Sequence, residues 1–511
     1  MTVRMPRLFV LFALAVFLGG CGMSAVNQVA PAPWPTHGWA TALPEEVGMD
    51  SGTLAQMANH IGQEDLDLNS LLIVRHGYLV TEIYRYPYSE GQTHWVASVT
   101  KSVMGALVGI ALDQGYLKDV HETLFSLLPD QGVAYLDDNK QAISLEDLLT
   151  QTSGLDCHEN PAPGEPRMES SANWVGFVEN LPMAAPPGTT FNYCTAAAQL
   201  LSAALQRVTG ETSREFANQN LFAPLGIGPV SETQWPSDPQ GVTIGGYGLT
   251  LTSRDMAKFG YLLLNHGRWD GQTVVPPDWV ATSTESHANQ GGSKAYGYLV
   301  WVDPQGDWFA ALGLAGQHIF VYPAKDLVVV FTADLPFAND QDLLPLEGLL
   351  DNYILPAVKS DGPLPANTEA QARLLAQIQA LGQPTARLVQ PLPPLASQIS
   401  GKPFRLDDNA AGWRSITFTF ESGASESRVD IDGVRWVIGM DNIYRISPEG
   451  GAAAQEGLRA RWEGQDTLVV DDNWIGQMAH ATYRIHFAGD TVDISYHEKF
   501  SGSNVELHGH Q

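Results

Sequence analysis

The chain has 511 residues, enough for a large core and more than one domain. Only 16% of them are charged, and 56 Asp and Glu against 28 Lys and Arg give a formal net charge of -28. That balance argues against a nucleic-acid partner, which would need basic side chains to neutralise phosphates, and the acidic surface is read as solvation of an exported protein.

Residues 1–21 read as an export signal. Arg4 and Arg7 give a positive start, Leu8 to Leu18 an apolar run, and Leu18-Gly19-Gly20-Cys21 resembles the lipobox cut by the lipoprotein signal peptidase. The expectation is a mature chain that begins at a lipidated Cys21 and is anchored to the bacterial membrane, the outer one facing the periplasm; a plain secretory signal is the alternative. Later apolar runs fall short of the about 18 residues a spanning helix needs, so membrane contact is expected through the N-terminal lipid only. Residues 22–42, with Pro31, Pro33 and Pro35, read as a flexible tether. Beyond Cys21 only Cys157 and Cys194 remain, a pair that fits one disulfide in an oxidising compartment, with two buried thiols as the alternative. No zinc-ligand spacing or glycine-rich phosphate loop is present, so no metal, nucleotide or other cofactor is expected.

The first compact region opens near Pro44 and is taken as 43–358. Leu71 to Val74 and Tyr78 to Tyr84, joined by His76-Gly77, predict a hairpin. A long helix is predicted from Ser98 to Gln114, ending at Gly115. Further helices are predicted at Leu145 to Thr150, Ala196 to Thr209 and Arg254 to Leu264, and strands at Tyr296 to Val302, Phe309 to Leu312, His318 to Tyr322 and Leu327 to Thr332. Strands at both ends with helices between predict an α/β (α+β) domain, an antiparallel sheet flanked by helices beside a helical region. Breaker clusters at Asp361 to Pro365 and Gln390 to Pro394 bracket a helix at Glu369 to Leu381, so 359–395 reads as a linker. From 396 to 511, short alternating runs such as Ile416 to Phe420 and Val492 to Tyr496 predict a small all-β, barrel-like domain.

The chemistry lies at the start of the long helix. Ser98-Val99-Thr100-Lys101 puts two functional groups three residues apart on one helix face, within reach of each other. A serine there meets the free N–H groups and positive dipole end that favour developing negative charge. The residues that follow are apolar on nearly every side, which places Lys101 at the edge of a core, where desolvation lowers an amine's pKa toward that of a useful base.

His94-Trp95-Val96-Ala97-Ser98-Val99-Thr100-Lys101 resembles the active-site motif of the β-lactamase-related serine hydrolases, a group that includes class C β-lactamases, D-Ala-D-Ala peptidases, esterases and 6-aminohexanoate-dimer hydrolases. Ile143 to Leu155 resembles the group's "LLTHTSGL" segment, and Pro187 to Tyr193 the stretch that delivers a second-motif tyrosine. Gly248 to Gly260, Tyr296-Gly297-Tyr298 and Gly313 to Gln317 resemble later blocks in the expected order. The resemblance covers 44–358 and implies a β-lactamase or transpeptidase-like fold. It also implies Ser98 as nucleophile, Lys101 as base, and Tyr193 as proton shuttle with its phenol pKa lowered by the neighbouring ammonium, with Thr195 in support. The backbone N–H groups of Ser98 and Gln317, the latter on the Gly316 turn, would form the oxyanion hole, each donor worth about 3 to 4 kcal/mol of barrier. Because the segments of Cys157 and Cys194 both border the site in such a fold, a disulfide between them is implied. Asn160 to Ser171 would form part of the rim.

Two departures set the expected substrate. The second motif reads Tyr193-Cys194-Thr195 where the lactamases have Tyr-x-Asn, and the third reads Leu314-Ala315-Gly316 where they have Lys-Thr-Gly. The asparagine and lysine expected to bind a lactam are missing, so the pattern is closer to the esterase and oligoamide branches, acting on a small-molecule ester or amide. The alternative is a penicillin-binding or D-Ala-D-Ala peptidase-like cell-wall protein with slow or no turnover.

Overall fold

The computed structural model describes residues 29–128, 133, 136–159, 167–289, 294–336, 344–447, 455–499 and 501–511. The lipobox with Cys21 and the rim residues 160–166 lie outside them. Two bodies are built as predicted, a mixed helix and sheet domain and an all-β barrel. The first contains helix α1 (Ser51–Gln63), strands β1 (Leu68–Arg75) and β2 (Tyr78–Tyr84), and helices α2 (Val99–Asp113), α3 (Thr195–Thr209) and α4 (Ser253–Leu264). It continues through strands β3 (Ala288–Asn289), β4 (Ala295–Tyr296), β5 (Trp301–Val302), β6 (Phe309–Gly313), β7 (Gln317–Tyr322) and β8 (Leu327–Ala333). The strands form one antiparallel sheet in the order β2-β1-β8-β7-β6-β5-β4-β3.

Alternation along β7 and β8 explains the three layers. Ile319, Val321, Val328 and Val330 face the core that holds α2, α3 and α4, whereas Phe320, Tyr322, Val329 and Phe331 face the core under α1. Every residue of α2 from Val99 to Ala111 is buried. Its two central glycines are required by neighbours: a Cβ at Gly109 would lie 2.3 Å from the Trp279 ring and one at Gly105 2.9 Å from the Tyr298 carbonyl.

Three expectations change. The strand predicted at Tyr296 to Val302 is two short strands, β4 and β5, because Leu299 takes a left-handed φ of 58° and turns the chain back on itself. The tether at 22–42 is anchored over its later part: the Trp34 ring lies 5.5 Å from that of Tyr261 and 5.2 Å from that of Trp269, and the Trp39 indole donates to Arg254 O. Two tryptophans remove too much apolar surface from water to hang free. The helix predicted inside the linker, α5 (Thr368–Leu381), packs on α1 and buries Leu374 in the same core.

The barrel consists of β9 (Pro403–Leu406), β10 (Ser415–Thr419), β11 (Glu426–Ile431), β12 (Val434–Gly439), β13 (Gln455–Glu463), β14 (Thr467–Ile475), β15 (Ala479–Ala488), β16 (Thr491–Glu498) and β17 (Asn504–His510). Neighbours pair antiparallel around the order β12-β11-β10-β9-β17-β16-β15-β14-β13, and a parallel bridge from Gly439 to Arg459 closes the ring. Phe404, Phe418, Leu468, Ile485, Phe487 and Ile494 fill the interior. The barrel meets the first domain through the Ile475 to Ala479 turn, where Trp95 N–H donates to Gly476 O at 2.8 Å. A side chain at 476 has no room, since a Cβ would lie 2.1 Å from Thr93 O.

Candidate active site

The chain enters α2 from the short strand Thr93–Trp95, which pairs with Thr250–Thr252. Val96 N–H donates to Leu249 O, Ala97 takes a left-handed φ of 48°, and Ser98 follows as the residue that caps the helix. The Ser98 hydroxyl makes no capping bond to the backbone. Its N–H meets no acceptor among the described residues. A hydroxyl not spent on capping and an uncommitted N–H at a positive helix end are what a nucleophile and an oxyanion donor need.

Lys101, one turn further, is 1% exposed. Its Nζ lies 2.9 Å from Ser98 Oγ, 2.8 Å from Thr195 Oγ1 and 2.9 Å from Gly246 O. Burial drives its pKa down to about 8, partly opposed by the Glu159 carboxylate. The three contacts assign the atoms of the free amine, because a carbonyl oxygen can only accept. With one amine hydrogen on Gly246 O and the other on Thr195 Oγ1, the lone pair is left for the Ser98 hydroxyl.

Tyr193 is brought in by the turn before α3. Asn192 N–H donates to Gln151 O, its amide donates to Cys157 O at 3.0 Å, and Cys194 N–H donates to Gln151 Oε1 at 2.5 Å. The sulfurs of Cys157 and Cys194 form a disulfide. The Tyr193 ring lies 4.8 Å from Lys101 Nζ and stacks on Trp301 at 5.7 Å, and its phenol hydrogen-bonds Ser98. One expectation is corrected here: the phenol pKa is raised, because burial penalises the phenolate more than the Ser98 hydrogen bond supports it. Tyr193 is therefore a neutral phenol and Lys101 the readier base. Thr195 Oγ1 also donates to Glu159 Oε2 at 2.8 Å, and Thr195 N–H donates to the same carboxylate.

Gly316 and Gln317 lie at the hairpin between β6 and β7. Ala315 and Gly316 take φ of 57° and 93°, and the tight turn they make sends Gln317 N–H back to Leu314 O. The expected second oxyanion donor is thus engaged within its own turn. Ser98 N–H is the backbone donor on offer. The Gln317 side chain points away from this role and donates to Ala333 O.

Ala97, beside Ser98, and Ala315, in that hairpin, are both non-glycine residues in the left-handed region, a conformation that persists where surroundings enforce it. Both pack against Met478 from the barrel, with Trp95 and Leu314 around them. Aromatic rings continue the wall: Tyr247 lies 6.1 Å from Trp95 and 6.4 Å from Trp174, and Tyr193 meets Tyr296 and Trp301. The sequence reading missed Gly246, Tyr247, Glu159 and Met478. The run Gly245-Gly246-Tyr247-Gly248 was the available signal for the first two, since a Cβ at Gly246 would come within 2.6 Å of Thr195 Cγ2. No group of three or more His, Cys, Asp or Glu side chains is placed to hold a metal, and no helix is long and apolar enough to cross a membrane, among the described residues.

A family model described as Beta-lactamase matches residues 68–349. A 6-aminohexanoate-dimer hydrolase of Paenarthrobacter ureafaciens is 25% identical over 320 residues, which span 57% of this chain and 78% of the relative. Among solved structures, EstCE1, described as a hydrolase with promiscuous acyltransferase activity, superposes with a TM-score of 0.50 at 20% identity, covering 61% of this chain and 99% of its own. A putative 6-aminohexanoate-dimer hydrolase from Bacillus anthracis gives 0.49 at 20% identity, covering 65% and 90%.

Proposed function

The chain belongs to the beta-lactamase family, and on that premise we propose that it is a serine hydrolase that cleaves a small ester or amide through an acyl-enzyme on Ser98. Lys101 takes the hydroxyl proton as Ser98 Oγ bonds the carbonyl carbon, and the electron pair displaced onto the carbonyl oxygen meets Ser98 N–H at the positive end of α2. Collapse expels the alcohol or amine, which takes its proton from the Tyr193 phenol, while the proton on Lys101 returns to the phenolate oxygen. Water then attacks the acyl carbon by the same route in reverse, and the acid leaves. The observation that carries this reading is the 2.9 Å approach of a buried Lys101, with both other contacts assigned as acceptors, to a Ser98 hydroxyl that makes no bond to the backbone and also meets the Tyr193 phenol.

Substrate class follows from what replaces the lactam-binding groups. Thr195 is occupied by Lys101 and Glu159, and Leu314 offers an apolar side chain beside Met478. With Trp95, Trp174 and Tyr247 nearby, the surroundings favour an uncharged acyl chain over a carboxylate-bearing lactam. The likeness to a 6-aminohexanoate-dimer hydrolase supports including linear oligoamides. Export with a lipid on Cys21 belongs to the same reading, and the Cys157–Cys194 disulfide supports an oxidising compartment.

Steady-state hydrolysis of p-nitrophenyl butyrate, an aminohexanoate dimer and nitrocefin tests it, with Ser98→Ala alongside. Ester or oligoamide turnover, little nitrocefin cleavage and loss of all of it in Ser98→Ala are expected. A burst of acylation without turnover would favour the slow penicillin-binding protein instead.

A further inference from the structure

Thr195 stands between the base and a carboxylate that has no place in the mechanism above. Its hydroxyl has one hydrogen to give, and that hydrogen lies on Glu159 Oε2 at 2.8 Å, so toward Lys101 Nζ, also at 2.8 Å, the same oxygen can only accept. Glu159 is held in two ways. Its other carboxylate oxygen accepts from Thr195 N–H at the start of α3, and the Cys157–Cys194 disulfide ties its segment to the residue before Thr195. Without the carboxylate, the Thr195 hydroxyl would be free to turn and donate to the amine, occupying the lone pair that Ser98 needs.

We propose that Glu159 is a positioning residue for the base: acting through Thr195, it fixes the direction of the hydrogen-bond chain so that the Lys101 lone pair stays on Ser98. The inference rests on the reading of Lys101 as the base. It also gives this chain a reason for threonine where the lactamases carry asparagine, since an asparagine amide in that place donates as well as accepts. The groups that face Lys101 are Ser98, Thr195, Gly246 O, the Glu159 carboxylate and the ring of Tyr193, behind which lies Tyr296, and burial keeps both phenols neutral. Among the described residues Glu159 is thus the carboxylate that supports the ammonium form.

Two variants separate charge from direction. Glu159→Gln removes the charge and keeps one acceptor oxygen, which can turn to the Thr195 hydroxyl at the expense of Thr195 N–H; Glu159→Ala removes both. The measurement is the pH profile of kcat/KM for p-nitrophenyl butyrate on the full chain, with kcat on the alkaline plateau and Ser98→Ala as control. In both variants the midpoint of the rising limb is expected to move to lower pH, because the ammonium has lost its supporting anion. The plateau should hold within about twofold in Glu159→Gln and fall on the order of tenfold in Glu159→Ala, a part of what positioned proton transfer contributes. Adding Thr195→Val to Glu159→Ala should recover part of that loss, since no hydroxyl is left to occupy the amine. A Glu159→Ala profile that overlays the wild type, or a uniform loss with neither a midpoint shift nor recovery in the double variant, overturns the proposal while leaving Ser98 and Lys101 in their roles. Activity that survives Ser98→Ala overturns the underlying reading instead.

Discussion

Lys101 is carried at a cost to the fold. Its pKa falls from 10.5 to about 8 on burial, so between those values the folded chain holds fewer protons than the unfolded one. Stability therefore rises with pH through that window, and at pH 7 the whole penalty is present, on the order of 3 kcal/mol by the size of the shift. Lys101→Met should abolish turnover yet raise stability at pH 7 by on the order of 1 kcal/mol, the rest being offset by Gly246 O and Thr195 losing a donor. Urea denaturation of both proteins at pH 7 and pH 10.5 checks this: the advantage of the variant should shrink at the higher pH, and one that is absent or grows with pH would contradict it. The same shift places the rising limb of the wild-type rate profile near pH 8.

Helix α2 shows what an element makes legible and what it hides. Its serine, lysine and unbroken apolar run could be read directly, because spacing on a helix is a local property and burial on all sides leaves a compositional trace. Its two glycines could not be explained until Trp279 and Tyr298 were in place. Gly109→Ala should therefore cost about 1–3 kcal/mol by overpacking against the Trp279 ring, although alanine is the better helix former; a guanidinium titration showing stabilisation would place that ring elsewhere. Other misreadings share this origin. The turn at Leu299 depends on a left-handed residue that β-rich composition conceals. The direction of the Tyr193 shift depends on how deeply packing buries the ring, and the use of Gln317 N–H depends on how tightly its hairpin closes. Glu159 lies in a segment whose composition says nothing, and only the chain's return at Thr195 gives it a partner.

For the molecule as a whole, the informative contact is between domains. The barrel could be foreseen from its alternating runs, but nothing in them marked the Ile475 to Ala479 turn as a neighbour of the Ser98 turn. Met478 covers Ala97 and Ala315, the two left-handed alanines on either side of the site. Met478→Ala should lower kcat on the order of tenfold with a smaller change in KM, because a shift of even a fraction of an ångström at Ala97 misplaces Ser98. A kcat equal to wild type would mean that those turns hold themselves. Synthesis runs from the amino end, so Ser98, Lys101 and Tyr193 are all made long before Met478, which lies near the other end of the chain. The turn that carries Ser98 is thus walled by two stretches of chain far apart in sequence, and closure of the barrel bears directly on the setting of that turn.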